Sequence, residues 1–181
     1  MTHPKVSIGL LLGGLVLGIL LTLSAEQVDN YTSTEAFCGT SCHSMQHYIA
    51  NDPFYKTSLH RNNKSGVLAN CGDCHIPHDL VPATWVHVKS GIIDIISEMS
   101  HDFSQAKNWQ EIKPRLAKKV REEIRDNNSQ ACRQCHDMKQ IAVTSYMGQR
   151  AHAQSYKNKK TCIQCHFNLV HSATPIHPGF Q

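Results

Sequence analysis

The hydrophobic and polar residues divide the chain into a short apolar segment and a long polar remainder. Residues 6–25 are uncharged at 20 consecutive positions and are mostly Leu, Ile, Val and Gly. A helix rises about 1.5 Å per residue, so this run spans a hydrocarbon core of roughly 30 Å. The pattern predicts an N-terminal membrane anchor over residues 1–28 and a polar domain over residues 29–181.

The residues flanking the apolar run bear on its orientation. Lys5 precedes it, whereas Glu26 and Asp29 follow it, and a positive charge before a span favours a cytoplasmic N-terminus. The alternative is a signal peptide cleaved after Ala25. Leu23 suits such a cleavage site poorly, and the run exceeds the usual apolar core of roughly 7–15 residues. We therefore expect a retained single-pass anchor with a cytoplasmic N-terminus and the polar domain on the other side of the membrane.

The polar domain shows helical periodicity and no pattern typical of strands. Leu116, Val120 and Ile124 recur every four residues, with Pro114 in a position that suits the first turn of a helix. The opposite face of this helix is basic, which is usual for a solvated surface. Residues 127–129 then predict a turn. We expect a mainly α fold with extensive loops.

The composition limits what can fill the domain and what the domain can bind. Only 7% of the residues are aromatic, so a conventional apolar core would be thin for this length. We therefore expect something other than side chains to fill the interior. The net charge of +4 comes without a dense basic patch interleaved with aromatics, which argues against a nucleic-acid partner.

The cysteines indicate the missing group. All eight fall into four pairs, and each pair is followed at once by histidine. Cys-x-x-Cys-His attaches c-type haem, because two thiols add to the porphyrin vinyl groups and the histidine binds the iron. Zinc sites and disulfides would not require the adjoining histidine. The chain is therefore predicted to bind four haem c groups covalently, through Cys38, Cys42, His43; Cys71, Cys74, His75; Cys132, Cys135, His136; and Cys162, Cys165, His166.

The first motif departs from this pattern. Three residues, not two, separate Cys38 from Cys42, and the longer loop can move His43 out of register with the iron. Met45 follows two residues later, and a thioether is also a haem ligand. The sequence leaves either residue as the ligand of the first haem.

Four further histidines recur in matched positions near the motifs. His60 and His152 lie 11 and 10 residues before the second and fourth motifs, and His78 and His171 lie shortly after the motif histidines. We expect these four to be distal axial ligands. The remaining histidines lack such pairing and are treated as non-ligands: His3, His47, His87, His101 and His177.

The repeat also suggests how the polar domain is organised. It predicts a compact tetrahaem cytochrome c domain built as two dihaem modules. The first covers residues 29–110, a linking helix covers 111–131, and the second covers 132–181.

Several stretches together carry a family resemblance. Residues 34–38, 42–45, 60–66, 73–78 and 126–129, following the anchor, resemble the NapC/NirT/NrfH family of membrane-anchored tetrahaem cytochromes. The resemblance implies oxidation of a membrane quinol, menaquinol or ubiquinol, and relay of electrons through the haems to a periplasmic terminal reductase for nitrate, nitrite or a similar N- or S-oxide. It further implies a single-pass anchor in a bacterial inner (cytoplasmic) membrane, with the haem domain on the periplasmic side. It also implies distal ligands at His60, His78, His152 and His171, and Met45 as the first haem's methionine.

A quinol site needs a base, because quinol oxidation releases protons together with electrons. Asp94 lies among four isoleucines in the apolar segment 81–99, and apolar surroundings raise a carboxylate's proton affinity. His87 lies seven residues earlier on the same helical face, and Lys89 is a weaker candidate. The residues alone slightly favour an ordinary exposed Asp, but the resemblance, whose members carry an acid here, favours a role for Asp94.

A second functional class is the alternative to a protein that relays electrons. A small terminal reductase would act directly on an oxyanion at an open haem. Nine histidines remain outside the motifs, which disfavours several open irons. A homo-oligomer is left open.

Overall fold

The computed structural model describes residues 4–141 and 143–181. Helix α1 covers Pro4–Thr32. Its segment Ile8–Thr32 is the one stretch among the described residues that is long and apolar enough to cross a membrane. None of the apolar part of this helix is buried within the protein. The anchor helix therefore continues four residues beyond the predicted boundary at residue 28.

The rest of the described chain forms short helices around two long ones. The long helices are α6, Leu80–Ser100, and α7, Ala106–Asp126. No strand occurs among the described residues, so the mainly helical prediction is confirmed. The short helices are α2 (Glu35–Thr40), α3 (His43–Met45), a π-helical turn (Gln46–Ala50), α4 (Pro53–Thr57), α5 (Cys71–His75), α8 (Gln130–Cys135), α9 (Tyr146–Lys157) and α10 (Cys162–Cys165).

Helix α6 packs against the anchor helix α1. The His87 ring nitrogen Nδ1 lies 2.7 Å from the Asp29 carboxylate, near the C-terminal end of α1. Asp29 lies four residues beyond the uncharged run, or about 6 Å along the helix. This hydrogen bond therefore holds α6 close to the end of the membrane-spanning segment.

The expectation for Pro114 was wrong. Pro114 lies inside α7, which begins eight residues earlier at Ala106. A proline in a helix interior removes one backbone hydrogen bond but is tolerated where the rest of the helix is held. The predicted turn after α7 is confirmed, because Asn128 and Ser129 both have positive φ angles, of 59° and 52°.

A guanidinium clamps the C-terminal segment to α7. Arg121 is 6% exposed. It donates hydrogen bonds of 2.8 Å to the carbonyl oxygens of Thr174 and Pro175 and to the side-chain oxygen of Asn168. A buried charge is tolerated when all its donors are satisfied. Phe180 is buried beside this segment, at 1% exposure.

The protein lacks a conventional apolar core. Four hydrophobic residues are buried among those described: Tyr55, Ala83, Phe103 and Phe180. The accessible surface is 13179 Å², against about 8,800 Å² expected for a compact protein of 20.3 kDa. The exposed anchor contributes to the excess. The small number of buried apolar side chains agrees with the expectation that a non-protein group fills the interior.

Candidate haem-binding and quinol sites

Three of the four cysteine motifs lie on single turns of helix. The second, third and fourth motifs form α5, α8 and α10. Cysteines three residues apart on a helix share one face. In the third and fourth motifs the histidine N–H closes the turn by donating to the first cysteine's carbonyl, at 2.9 Å in His136 and 2.8 Å in His166. This local structure presents both thiols together, with the histidine directly beyond them.

Side-chain capping fixes where two of these turns begin. The Asn70 side-chain oxygen accepts from the Asp73 N–H at the start of α5, and the Asp73 carboxylate accepts from the Asn70 N–H. At α10 the Gln164 side-chain oxygen accepts from the Thr161 N–H and from the Thr161 hydroxyl. Capping boxes satisfy backbone N–H groups that a short helix would leave unpaired. The motif helices are therefore set by their own sequence.

Consecutive motifs are neighbours in space. Helix α2 packs against α5, and α5 against α8. The Cys38 thiol lies beside Cys71, and this contact lowers the pKa of Cys71 to about 6. Cys132 lies close enough to Cys162 for their charges to interact. All eight cysteines lie in the described residues and are free thiols. Each motif therefore has both of its thiols available to attach a haem.

Three motif histidines face three distant histidines. The ring centroids of His75 and His171 are 6.1 Å apart, those of His136 and His60 are 6.2 Å apart, and those of His166 and His152 are 5.9 Å apart. Two imidazoles on opposite sides of one metal ion, each with a metal–nitrogen distance of about 2 Å, have centroids roughly 6 Å apart. The pairs therefore fit axial ligation of one iron each.

Burial favours the neutral form of two distal rings, His171 and His60. Burial, with an added contribution from the neighbouring His75, lowers the pKa of His171 to about 4. Burial also lowers the pKa of His60, with an added contribution from His136. Neutral imidazole is the form that binds a metal ion. The donor chemistry thus agrees with the ring spacing.

The extra residue in the first motif changes its local structure. Cys42 is extended, with φ −119° and ψ 141°, and a new helix begins at His43. The exposed His43 ring stacks on His47, one helical turn away, with a centroid distance of 5.9 Å. Met45 is half-buried on the same short helix. The first motif therefore does not reproduce the single turn of the other three.

His78 belongs to none of the three ring pairs. It lines a cavity of about 240 Å³ together with Cys74, His75, Lys89 and Glu123. It is exposed and sits beside the motif histidine His75. Lys89, a sequence candidate for the quinol site, thus faces the second motif.

Two carboxylates of α6 face the first motif. The Ser44 backbone N–H donates to Glu98 at 3.3 Å, and the Ser44 hydroxyl also donates to Glu98. Burial raises the pKa of the Cys42 thiol, and the charges of Glu98 and Asp94 raise it further. Asp94, predicted from the sequence, and Glu98, which was not, therefore lie together beside the first haem-attachment motif.

The environment of Asp94 favours its protonated form more than water does. Desolvation raises the pKa of Asp94; the nearby Lys119 opposes this shift, and Glu98 adds to it. A carboxylate with raised pKa can take up a proton at a pH where an ordinary carboxylate would not. His87 shares this helical face but is held by Asp29, and its Nε2 atom is buried without a hydrogen-bond partner.

These features define a class of protein. Thiol pairs on helical turns, opposed imidazoles at the spacing of a shared iron, and an interior without an apolar core fit covalently bound haem c. The described residues form no cluster of three or more His, Cys, Asp or Glu that would hold a bare metal ion. The chain is a multihaem c-type cytochrome.

Comparison with known proteins identifies the family. The sequence profile of the NapC/NirT cytochrome c family, N-terminal region, matches residues 1–176. The chain is 33% identical to cytochrome c-type protein NapC of Escherichia coli K12, over 99% of this chain and 90% of that protein. It is 35% identical to a probable tetraheme cytochrome c-type of Nitrosomonas europaea, over 95% of this chain and 72% of that protein. It is 33% identical to cytochrome c-type protein TorC of Escherichia coli K12, over 93% of this chain and 43% of that protein. No solved structure matches the chain.

The chain belongs to the NapC/NirT cytochrome c family. The predicted resemblance is confirmed, as is the electron-transport character of a tetrahaem cytochrome c. The protein is a membrane-anchored multihaem electron-transfer cytochrome with covalently bound haem c.

Proposed function

We propose that this cytochrome oxidises membrane quinol beside its first haem-attachment motif and delivers the electrons to a periplasmic terminal reductase. The observation that carries the proposal is the pair of carboxylates, Asp94 and Glu98, against Cys42 and Ser44. A proton acceptor at a redox centre is what quinol oxidation requires, because the substrate loses protons and electrons together.

The haem ligands follow from the ring pairs. The eight cysteines attach four haems, and His75 with His171, His136 with His60, and His166 with His152 bind three of the irons. These pairs support an arrangement in which ligands cross the boundary between the two predicted modules. His78 was expected to be a distal ligand, but none of the three ring pairs includes it.

The first haem differs from the others. The exposed His43 stacks on His47, whereas Met45 is half-buried next to Ser44, whose partner is Glu98. This arrangement supports Met45 as the ligand of the first haem, as the family resemblance implies. A distal side without a strong protein ligand would leave room for substrate.

The bound haem supplies one-electron oxidation and reduction; the residues around it handle the protons. Asp94 is the proposed acceptor of the quinol proton, because its surroundings raise its pKa. Glu98 is already a hydrogen-bond acceptor for Ser44, so it holds the first motif in place and is a second acceptor one helical turn away. The His87–Asp29 hydrogen bond positions α6 against the anchor.

The outer face of α6 supports access from the lipid. Five apolar side chains recur along it at helical spacing: Val81 (79% exposed), Val88 (52%), Ile92 (56%), Ile95 (59%) and Met99 (83%). A contiguous exposed apolar stripe marks a membrane or protein contact. Because α6 packs beside α1, the stripe can meet the bilayer surface while Asp94 faces the first motif.

The remaining parts of the proposal are the sidedness and the partner. The single anchor, with Lys5 before it, supports a periplasmic haem domain. Three opposed imidazole pairs leave at most one open haem, which disfavours a terminal reductase that acts directly on oxyanions.

The test uses full-length protein in proteoliposomes with menaquinol or ubiquinol analogues inside the bilayer. We expect one of the quinols to reduce the haems, which is followed by the growth of their α-band. A periplasmic fraction containing nitrate or nitrite reductase should reoxidise them. Haem that is reduced by dithionite but by neither quinol would contradict the proposal.

A further inference from the structure

The C-terminal quarter of the chain has an unusual charge. Residues 138–181 contain five basic residues and no Asp or Glu. The other 137 residues contain thirteen Lys and Arg against fourteen Asp and Glu. The positive net charge of the protein therefore comes from the part that carries the fourth haem-attachment motif: Lys139, Arg150, Lys157, Lys159 and Lys160.

Four of these basic residues lie on one surface feature, the outer side of α9 and the turn that follows it: Arg150, Lys157, Lys159 and Lys160. Lys139 lies before α9. All five are exposed. The inner side of α9 carries His152, whose ring faces the motif histidine His166. The basic surface and the fourth ring pair are thus separated by one helix, whose diameter with side chains is about 10–12 Å.

Exposed apolar and aromatic side chains accompany the charges. Tyr146, Met147 and Tyr156 of α9 are 68%, 71% and 66% exposed. The Arg150 guanidinium lies over the Tyr146 ring, 5.7 Å from its centroid. Tyr, Met and Arg are the residues enriched in protein interfaces, where they supply large contact areas. Lysines around such a centre form a polar rim.

A basic helix face is most often only exposed to solvent, and α7 carries such a face in this protein. Its cations are interleaved with acids: Lys107 lies 3.7 Å from Glu111, and Lys119 lies 4.0 Å from Glu123. The α9 surface belongs to residues 138–181, which contain no acid, and its cations take part in none of the ion pairs found among the described residues. It presents an uncompensated positive field next to a redox site, which attracts an acidic partner.

We infer that the outer face of α9 and the turn at residues 157–160 form the docking surface for an acidic electron-accepting protein. This surface is called the α9 face below. Docking there brings the acceptor within one helix of the fourth ring pair, His152 and His166. The inference rests on the proposed delivery of electrons to a reductase, and it adds where the acceptor binds and which charge it carries.

Anionic lipid is the other source of negative charge. The main packing partner of the anchor helix is α6, with α2 following it, and α9 is not among the helices principally packed on α1. The α9 face also combines its cations with bulky exposed tyrosines around a redox site, which favours a protein acceptor.

The test measures electron transfer from chemically reduced, full-length protein in zwitterionic nanodiscs, so it does not depend on quinol oxidation. The probes are two blue-copper proteins, one acidic and one basic, whose bleaching is followed by stopped flow. We expect the acidic acceptor to react faster, and its rate constant to fall at least tenfold between low and physiological salt. The basic acceptor should show the opposite salt dependence.

Matched charge reversals localise the effect. Lys157→Glu with Lys160→Glu should lower the rate with the acidic acceptor about tenfold or more at low salt, and raise the rate with the basic acceptor. Arg115→Glu with Lys118→Glu on α7 makes the same change in net charge and should have a much smaller effect. Haem content and dithionite reduction should stay unchanged in both variants.

Three results would overturn the inference. Equal effects of both double variants would show that only net charge matters. No effect of the α9 variant would show that acceptors dock elsewhere. Loss of reaction with the acidic acceptor when the nanodiscs contain anionic lipid would assign the α9 face to lipid. A failure of quinol oxidation alone would change none of these readouts.

Discussion

Replacing Asp94 with Asn removes a proton acceptor while keeping the shape of the side chain. Loss of a general base typically slows a reaction about 10²–10⁴-fold. Asp94 is partly exposed, and Lys119 opposes the rise in its pKa, so its advantage over water is limited. We therefore expect a loss near the lower end, about 100-fold in quinol oxidation, or about 2.7 kcal/mol at about 1.36 kcal/mol per tenfold.

The pH dependence of the quinol oxidation rate gives an independent test of the Asp94 carboxyl group. Desolvation raises the pKa of Asp94, and only the ionised form accepts a proton. The rate should rise with pH across a range above that of an ordinary Asp, and Asp94→Asn should lose this rise. A raised pKa means that the folded state holds the proton more tightly than the unfolded state. The stability contributed by the protonated form is therefore lost as the pH rises through that range, and Asp94→Asn should not destabilise the protein at neutral pH.

The assay is reduction of the haem α-band by a menaquinol analogue in proteoliposomes, with haem content, dithionite reduction and thermal unfolding as checks. Glu98→Gln is the matched control, because Glu98 lies one turn away and bonds Ser44. We expect a smaller loss, about tenfold. A wild-type rate for Asp94→Asn, alone and together with Glu98→Gln, would refute the assignment of the proton acceptor to this face of α6.

Three further predictions follow from the same structure. The mature protein should carry four haems by intact mass, and three would mean that the longer first motif is not an attachment site. His60→Gly, His152→Gly and His171→Gly should each convert one low-spin haem to a high-spin one by electron paramagnetic resonance, with recovery on adding imidazole; an unchanged spectrum would remove that residue from the ligand set. Arg121→Met should lower the free energy of unfolding by about 3 kcal/mol, because the Pro175 carbonyl loses its donor and the buried Thr174 carbonyl keeps only the longer bond from Asn168. Arg115→Met on the exposed side of α7 should change it by less than about 0.5 kcal/mol, and equal effects in denaturant titrations would contradict the clamp.

Local features of the molecule were predictable from the sequence, because each depends on a few neighbouring residues. The anchor follows from a run of apolar residues, and the turn at Asn128 and Ser129 follows from residues that tolerate positive φ. Motif helices such as α5 follow from spacing and capping at Asn70. The anchor and the turn were predicted in this way, whereas the motif helices and the Asn70 cap were found in the structure.

The ring pairs were not predictable in the same way. His60 lies 11 residues before the second motif, and the repeat suggested a role close to it, but its ring faces His136, 76 residues away. His171 likewise faces His75 across 96 residues. Which distant imidazoles meet depends on how the whole chain packs, and no short-range pattern carries that information. His78 stays a predicted ligand, although none of the three ring pairs includes it.

Glu98 shows a different kind of omission. It lies four residues after Asp94, so helical periodicity places it on the same face. An acid on an otherwise apolar helix attracts attention when isoleucines surround it, as they surround Asp94, but Glu98 lies between serine and methionine. A search for acids at helical spacing, rather than for a single acid in apolar surroundings, would have found the pair.

The scarcity of buried apolar side chains has a consequence for how this protein is probed. With Phe103 and Phe180 among only four buried hydrophobic residues in the described chain, side-chain burial alone gives little to offset the conformational entropy lost on folding. A group that binds only the folded chain adds its binding free energy to stability, so haem attachment and folding should be coupled. A Cys→Ala variant then risks removing the fold together with the haem, and its loss of activity would be uninformative. Substitution of the distal ligands His60, His152 and His171 keeps the covalent attachment, and is for this reason the sharper test of which imidazole serves which iron.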